Sequence, residues 1–208
     1  MRFAISGIST DVGKTIVSAI FCKAYGFEYW KPIQSGSLTD DDSSTIDELT
    51  NNTTIIHPCS CSLKEPLSPH AAAELEGVTI NPDTIKIPDS NHLLVEMAGG
   101  LMVPFNNEGY LFSDFLVQHQ LPTILVSRHY LGSINHTLLS VELLKKLKIP
   151  LLGIVFVGDE HKTTEAAIRK NANTSNFYRI PITSSLNTSF IEKEALKLKG
   201  SSFFKKKQ

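Results

Sequence analysis

The residues with the plainest chemistry lie in one run, Ser6-Gly7-Ile8-Ser9-Thr10-Asp11-Val12-Gly13-Lys14-Thr15. An apolar, β-prone stretch, RFAIS (2–6), leads into a glycine-bearing turn, and a helical pattern opens at Gly13-Lys14-Thr15. Such a turn leaves successive backbone N–H groups unpaired and adds the positive end of a helix dipole, so it holds an anion without any specialised side chain. In a phosphate-gripping loop Lys14 reaches the β and γ phosphates of a nucleotide, and Thr15 offers its hydroxyl to Mg²⁺. The spacing departs from the usual G-x-x-x-x-G-K-[ST], which needs a glycine where this chain has Ile8; the glycine stands one place earlier, at Gly7.

Further chemistry follows downstream. Lys31, in Trp30-Lys31-Pro32-Ile33-Gln34-Ser35-Gly36, stands at the C-terminal end of a second strand, where ligands bind in open α/β sheets, and its ammonium suits a second anion. Mg²⁺ takes oxygen ligands and usually needs one or two carboxylates besides phosphate oxygens and water. Glu96, expected to end the strand HLLVE (92–96), is one candidate, and Asp40, Asp41 and Asp42, at the opening of a helix, supply the other. A run of acids is also what a solvated loop looks like. His70 and His136 read as hydrogen-bonded structural residues rather than catalysts. No Ser-His-Asp or Cys-His arrangement is evident.

These residues need elements that bring them together. Short apolar runs alternate with longer helical patterns, the mark of a parallel sheet flanked by helices. Strands are expected at 2–6, 27–30, 92–96, 123–127, 153–157 and 177–182, several of them apolar on both faces, as strands covered above and below should be. Helices are expected at 14–25, 43–50, 68–76, 110–119, 133–147, 160–171 and 188–198. The fold class is thus α/β, phosphate-loop NTPase-like, a mostly parallel central sheet with helices on both faces, in one domain over 1–208. Segments 37–54 and 58–69 read as long surface loops, and GSSFFKKKQ at the C-terminus as a frayed, solvated tail.

Composition narrows the function classes. The chain has 208 residues, 41% hydrophobic and 20% charged, with a formal net charge of -1. That balance removes the electrostatic case for nucleic-acid binding, which needs a basic face. Three cysteines, Cys22, Cys59 and Cys61, are too few for a disulfide framework and lack the second pair that a zinc site requires. The longest apolar runs fall short of a membrane span, and residues 3–8 do not form a signal peptide's apolar region, so a cytoplasmic protein acting on small molecules is expected.

Taken together, Gly7-x-x-Thr10-x-Val12-Gly13-Lys14-Thr15 resembles the lengthened phosphate loop of dethiobiotin synthetases, which has five rather than four residues between its glycines. Lys31-Pro32-Ile33-Gln34-Ser35-Gly36 is similar to that family's K-P-x-x-S-G, VEMAGG (95–100) to its V-E-G-A-G-G with Met97 for a glycine, Ser68-Pro69-His70 to its S-P-H, and Leu131-Gly132-Ser133-Ile134-Asn135-His136 to its L-G-x-I-N-H. The matches run in order over about two thirds of the chain. The resemblance implies an ATP- and Mg²⁺-dependent ligase that joins 7,8-diaminononanoate and CO2 into dethiobiotin, through a carbamate and a carbamic-phosphoric anhydride. It further implies that Lys14, Lys31, Thr10 and Ser35 are catalytic or hold the carbamate. Gly7, Asp11, Val12, Gly13, Lys14, Thr15 and Ile16 would bind the nucleotide, and Thr15, Glu96 and Asp42 (with Asp41 nearly as good) would bind the metal. In a homodimer, Gly132, Ser133, Ile134 and Asn135 would receive the carboxylate of a substrate held mainly by the other subunit.

One departure bears on the nucleobase. Family members commonly carry an asparagine after the strand equivalent to GIVFV, whereas this chain continues Val157-Gly158-Asp159, leaving Asp159 as the candidate base contact. A rival class is a dimerising switch ATPase of the partitioning or septum-positioning kind. Those proteins place a lysine early in the loop, and Ser6-Gly7-Ile8-Ser9 has none. A cobyrinate-type amide synthetase would need a further glutamine-hydrolysing domain, for which 208 residues leave no room.

Overall fold

The computed structural model describes residues 1–36 and 41–204. Asp40 and the lysines at 205–207 lie outside the described residues. Nine strands and seven α-helices are described, in the order β1 (Arg2–Gly7), α1 (Lys14–Tyr25), β2 (Glu28–Trp30), β3 (Ile33–Ser35), α2 (Asp42–Leu49), β4 (Ile56–His57), β5 (Cys61–Leu63), α3 (Pro69–Glu76), β6 (Leu93–Gly100), α4 (Phe112–Gln118), β7 (Thr123–Arg128), α5 (Ser133–Lys146), β8 (Leu151–Val157), α6 (Lys162–Asn171), β9 (Phe177–Ile180) and α7 (Thr188–Gly200).

Seven strands form a sheet in the order β4-β2-β6-β1-β7-β8-β9. Every neighbouring pair in it is parallel. The central strand β1 shows why helices cover both faces: strand side chains alternate, and here both sets are apolar. Phe3 and Ile5 join a core with Val17, Ile20 and Phe21 of α1 and Ile191 and Leu198 of α7. Ala4 faces the opposite core, with Phe112, Phe115 and Leu116 of α4. Since all these strands run the same way, their C-terminal ends line one edge of the sheet, and the ligand-binding turns gather there.

All six expected strands and all seven expected helices are present, with shifted ends. Three short strands were not anticipated. Segments 37–54 and 58–69 are not plain loops: the first carries α2 and the second carries β5, which pairs with β3 as a separate two-stranded parallel sheet. Strand β6 also runs on to Gly100, so Glu96 lies within it rather than at its end. The C-terminal segment is packed as far as it is described. Phe203 is 4% exposed, and its ring meets Phe21 and Tyr178, while the Phe204 ring lies against Phe3, Tyr25 and Phe27. Among the described residues no helix is long and apolar enough to cross a membrane.

Candidate active site

The loop after β1 is shaped by two glycines. A Cβ at Gly7 would lie 2.5 Å from the Ser9 carbonyl and 2.8 Å from a Val12 methyl, so the early glycine is a steric requirement of this longer turn. Gly13 has φ 93°, a left-handed conformation that glycine adopts without strain, and it is the N-cap of α1 with no side chain capping the helix. The first amides of α1 therefore stay free for an anion. Lys14 is 8% exposed and folds back over the loop, its Nζ donating to the Ser9 carbonyl at 3.4 Å. Burial lowers its pKa, against the pull of Glu96 and Asp11.

Beside the loop, two carboxylates and a second ammonium converge. Glu96 is fully buried in the centre of the sheet. Its oxygens accept from Ser18 (2.7 Å), Thr15 (3.1 Å) and Tyr29 (3.2 Å). The Thr15 hydroxyl also lies 2.5 Å from Asp42 Oδ1. Lys31, 6% exposed, pairs with Asp42 and stands 3.9 Å from Glu96. Burial lowers the Lys31 pKa; Glu96 opposes this and the neighbouring Lys14 adds to it. Asp41 is turned elsewhere, since its carboxylate caps α2 by accepting from the Ser44 amide at 2.6 Å. Geometry thus separates two neighbouring acids that look alike in sequence: Asp42 faces the cluster, and Asp41 holds the helix that presents it.

The donor set suits a hard divalent cation. It offers two carboxylates and a hydroxyl in one place, with free loop amides alongside for phosphate, and a Mg²⁺ shared with phosphates and water asks for no more protein ligands than that. Burial pushes the Cys22 thiol and the Tyr29 hydroxyl upward, and the Glu96 charge adds to it.

These groups line one cleft of about 970 Å³. Thr10, Asp11, Gly13, Lys14, Thr15, Ile16, Lys31, Ser35, Asp42 and Glu96 are all on its walls. Ser35 Oγ is buried there without a hydrogen-bond partner, a free polar atom in the cleft that Lys31 also lines. Gly7 and Val12 shape the loop from beneath; Val12 is buried at 1% exposure. Two sets of expected residues lie off this cleft within the single chain. Asp159 is exposed and is not among the residues that line the cleft. Gly132, Ser133, Ile134 and Asn135 line a second groove of about 860 Å³ at the start of α5.

The structure also adds residues that sequence reasoning missed. Ser18 and Tyr29 fix the Glu96 carboxylate; Ser18 lies one helical turn after Lys14, a spacing that could have exposed it. Val157, Ile180, Pro181, Ile182, Leu186 and Phe190 also line the cleft and give it an apolar wall, joined by Thr183. Nothing in their separate stretches announces a common wall. His136, by contrast, pairs with the Tyr130 hydroxyl at 2.8 Å, whereas His70, also expected to be hydrogen-bonded, has its Nδ1 buried without a partner.

Comparison with known proteins agrees with this geometry. A family model described as an AAA domain matches residues 1–189. An ATP-dependent dethiobiotin synthetase of Christiangramia forsetii is 51% identical over 170 residues, covering 81% of this chain and 81% of that protein. One from Brucella ovis is 39% identical over 188 residues, covering 89% of this chain and 88% of its own length. Among solved structures, a ParA family ATPase from Chlorobium tepidum superposes with a TM-score of 0.57 at 16% identity, covering 95% of this chain and 98% of that one. At that identity the likeness is one of fold alone, and it gives no weight to the switch-ATPase alternative. The chain belongs to the family of dethiobiotin synthetases.

Proposed function

We propose that the protein is an ATP-dependent ligase that forms dethiobiotin from 7,8-diaminononanoate, CO2 and ATP, with the residues of the 970 Å³ cleft as its machinery. The observation that carries this reading is the gathering of Lys14, Lys31, Asp42 and Glu96 in one cleft beside a free helix N-terminus, with Lys31 set against both carboxylates. Carbamate and triphosphate are both anionic, so they meet only where cations lie between them.

The loop amides and Lys14 hold the β and γ phosphates, and Lys31 holds the carbamate formed when a substrate amine captures CO2. Thr10 and Ser35 orient that carbamate by hydrogen bonds; the free Ser35 hydroxyl supports this role. The carbamate oxygen attacks the γ-phosphorus, ADP leaves, and the second amine attacks the mixed anhydride to close the ureido ring and release phosphate. Thr15, Asp42 and Glu96 would hold Mg²⁺, which supplies charge neutralisation of the phosphates. Phosphoryl transfer asks mainly for positioning and charge stabilisation, which the loop amides and the two ammonium groups would supply.

The groove at α5 is the second half of the reading. Gly132 has φ 102° and leaves the 14-residue helix uncapped, which suits a carboxylate. That groove would serve the cleft of the other subunit of a homodimer. At the apolar wall of the cleft, the nucleobase would lie between Val157 and Ile180–Ile182, with no side-chain amide to read it. The direct test is to incubate the purified protein with diaminononanoate, bicarbonate, Mg²⁺ and ATP and to look for dethiobiotin by mass. No product under these conditions would refute the reading.

A further inference from the structure

Outside the cleft, Glu165 of α6 is a buried and heavily paired side chain, only 4% exposed. Its carboxylate accepts from Arg179 of β9, from His129 Nε2 at 3.1 Å, from the His161 amide at 3.3 Å and from Arg169 at 3.4 Å. Arg169 is itself fixed, its guanidinium 4.3 Å from the centroid of the Phe177 ring. Burial alone would raise the Glu165 pKa, but the bonds from Arg179 and His129 outweigh it and hold the group below the usual carboxylate range.

The partners matter because of where they stand. His129 follows β7 and begins the turn that leads through Tyr130 and Leu131 into the α5 groove. Arg179 also donates to the Gly158 carbonyl at 3.3 Å, just after β8, and the next residues, Ile180, Pro181 and Ile182, belong to the apolar wall of the cleft. One carboxylate thus ties together the C-terminal ends of three adjacent strands. We propose that Glu165 is a positioning residue that sets, at one time, the nucleotide end of the cleft through Arg179 and the α5 groove through His129. The assignment of ligands to those two ends rests on the function proposed above. Glu165 touches neither ligand; its effect passes through the turns it anchors.

The test uses the full-length protein and Glu165→Gln, which keeps shape and removes charge. KM for ATP and KM for diaminononanoate should each rise about tenfold with kcat held within about twofold, and ADP binding measured by calorimetry should weaken by a similar factor. Arg179→Lys should move the nucleotide constants alone, and His129→Asn the diaminononanoate KM alone. As a control, Ile168→Val loosens the same helix from a fully buried position without touching the carboxylate; it should lower the melting temperature and leave both KM values in place. Unchanged KM and ADP affinity in Glu165→Gln would overturn the proposal. So would equal KM shifts in Ile168→Val at an equal loss of melting temperature. If the wild-type protein makes no dethiobiotin, the ADP titration still decides on the nucleotide end: weaker binding in Glu165→Gln supports the role, and unchanged binding ends it.

Discussion

At the scale of single residues, the site works by placing charge where water is excluded. Lys14 and Lys31 are 8% and 6% exposed, and each is held by a carboxylate or carbonyl of its neighbours rather than by solvent. Removing either ammonium leaves anionic reactants facing each other, so Lys14→Ala and Lys31→Ala should each cut kcat by about a thousandfold or more without loss of the folded circular-dichroism signature. Full activity in one variant would refute the role given to that lysine. Val157 poses a different question. Its side chain lies over Gly13 at the apolar wall of the cleft and can offer no hydrogen bond to a base. Turnover with ATP, GTP and CTP should therefore differ little, and Val157→Asn, by adding a donor and an acceptor, should widen the preference for ATP about tenfold. A strong preference for ATP in the unaltered protein would count against an apolar, tolerant slot.

At the scale of elements, helices were legible and the smallest strands were not. A helix such as α1 repeats its apolar positions over 12 residues, so its pattern survives without knowledge of partners. β4 has two residues and β5 three; both are strands only because β2 and β3 lie alongside. The C-terminal end of α7 shows the same dependence. Ser201–Phe204 has no periodicity of its own, yet Phe203 fills the space above Gly153, where a Cβ would come within 2.5 Å of the ring. Phe203→Ala should destabilise the protein by about 3–5 kcal/mol, read as a lower denaturant midpoint, because the cavity left under α7 cannot collapse onto a rigid sheet. A change near zero would restore the picture of a solvated tail.

At the scale of the whole molecule, cleft and groove are separate within one chain. The groove at α5 is bordered by Leu131 at 104%, Leu139 at 61% and Ile134 at 37% exposure, apolar surface that a second copy would cover. If the working unit is a homodimer, Leu139→Arg should shift sedimentation from dimer to monomer at micromolar protein. It should also raise the diaminononanoate KM more than the ATP KM, since the α5 groove would be withdrawn from the partner's cleft. An unaltered protein that sediments as a monomer while making dethiobiotin would dispose of the shared site.

Sequence alone determined the parts whose chemistry is local: the loop from Gly7 to Thr15, Lys31 at a strand end, the seven helices and the parallel α/β class. Each of these is written in consecutive residues, as a turn, a period or an alternation. Tertiary structure decided what distance along the chain conceals. It chose Asp42 over Asp41 by turning one to Thr15 and Lys31 and the other to the Ser44 amide. It left Asp159 off the cleft walls, gathered Val157 with Ile180–Thr183, and joined His129, Arg179 and Glu165 across three strand ends. The physical reason is common to all of these. A side chain's neighbours across a parallel sheet lie dozens of residues away, and only packing determines which of them it meets.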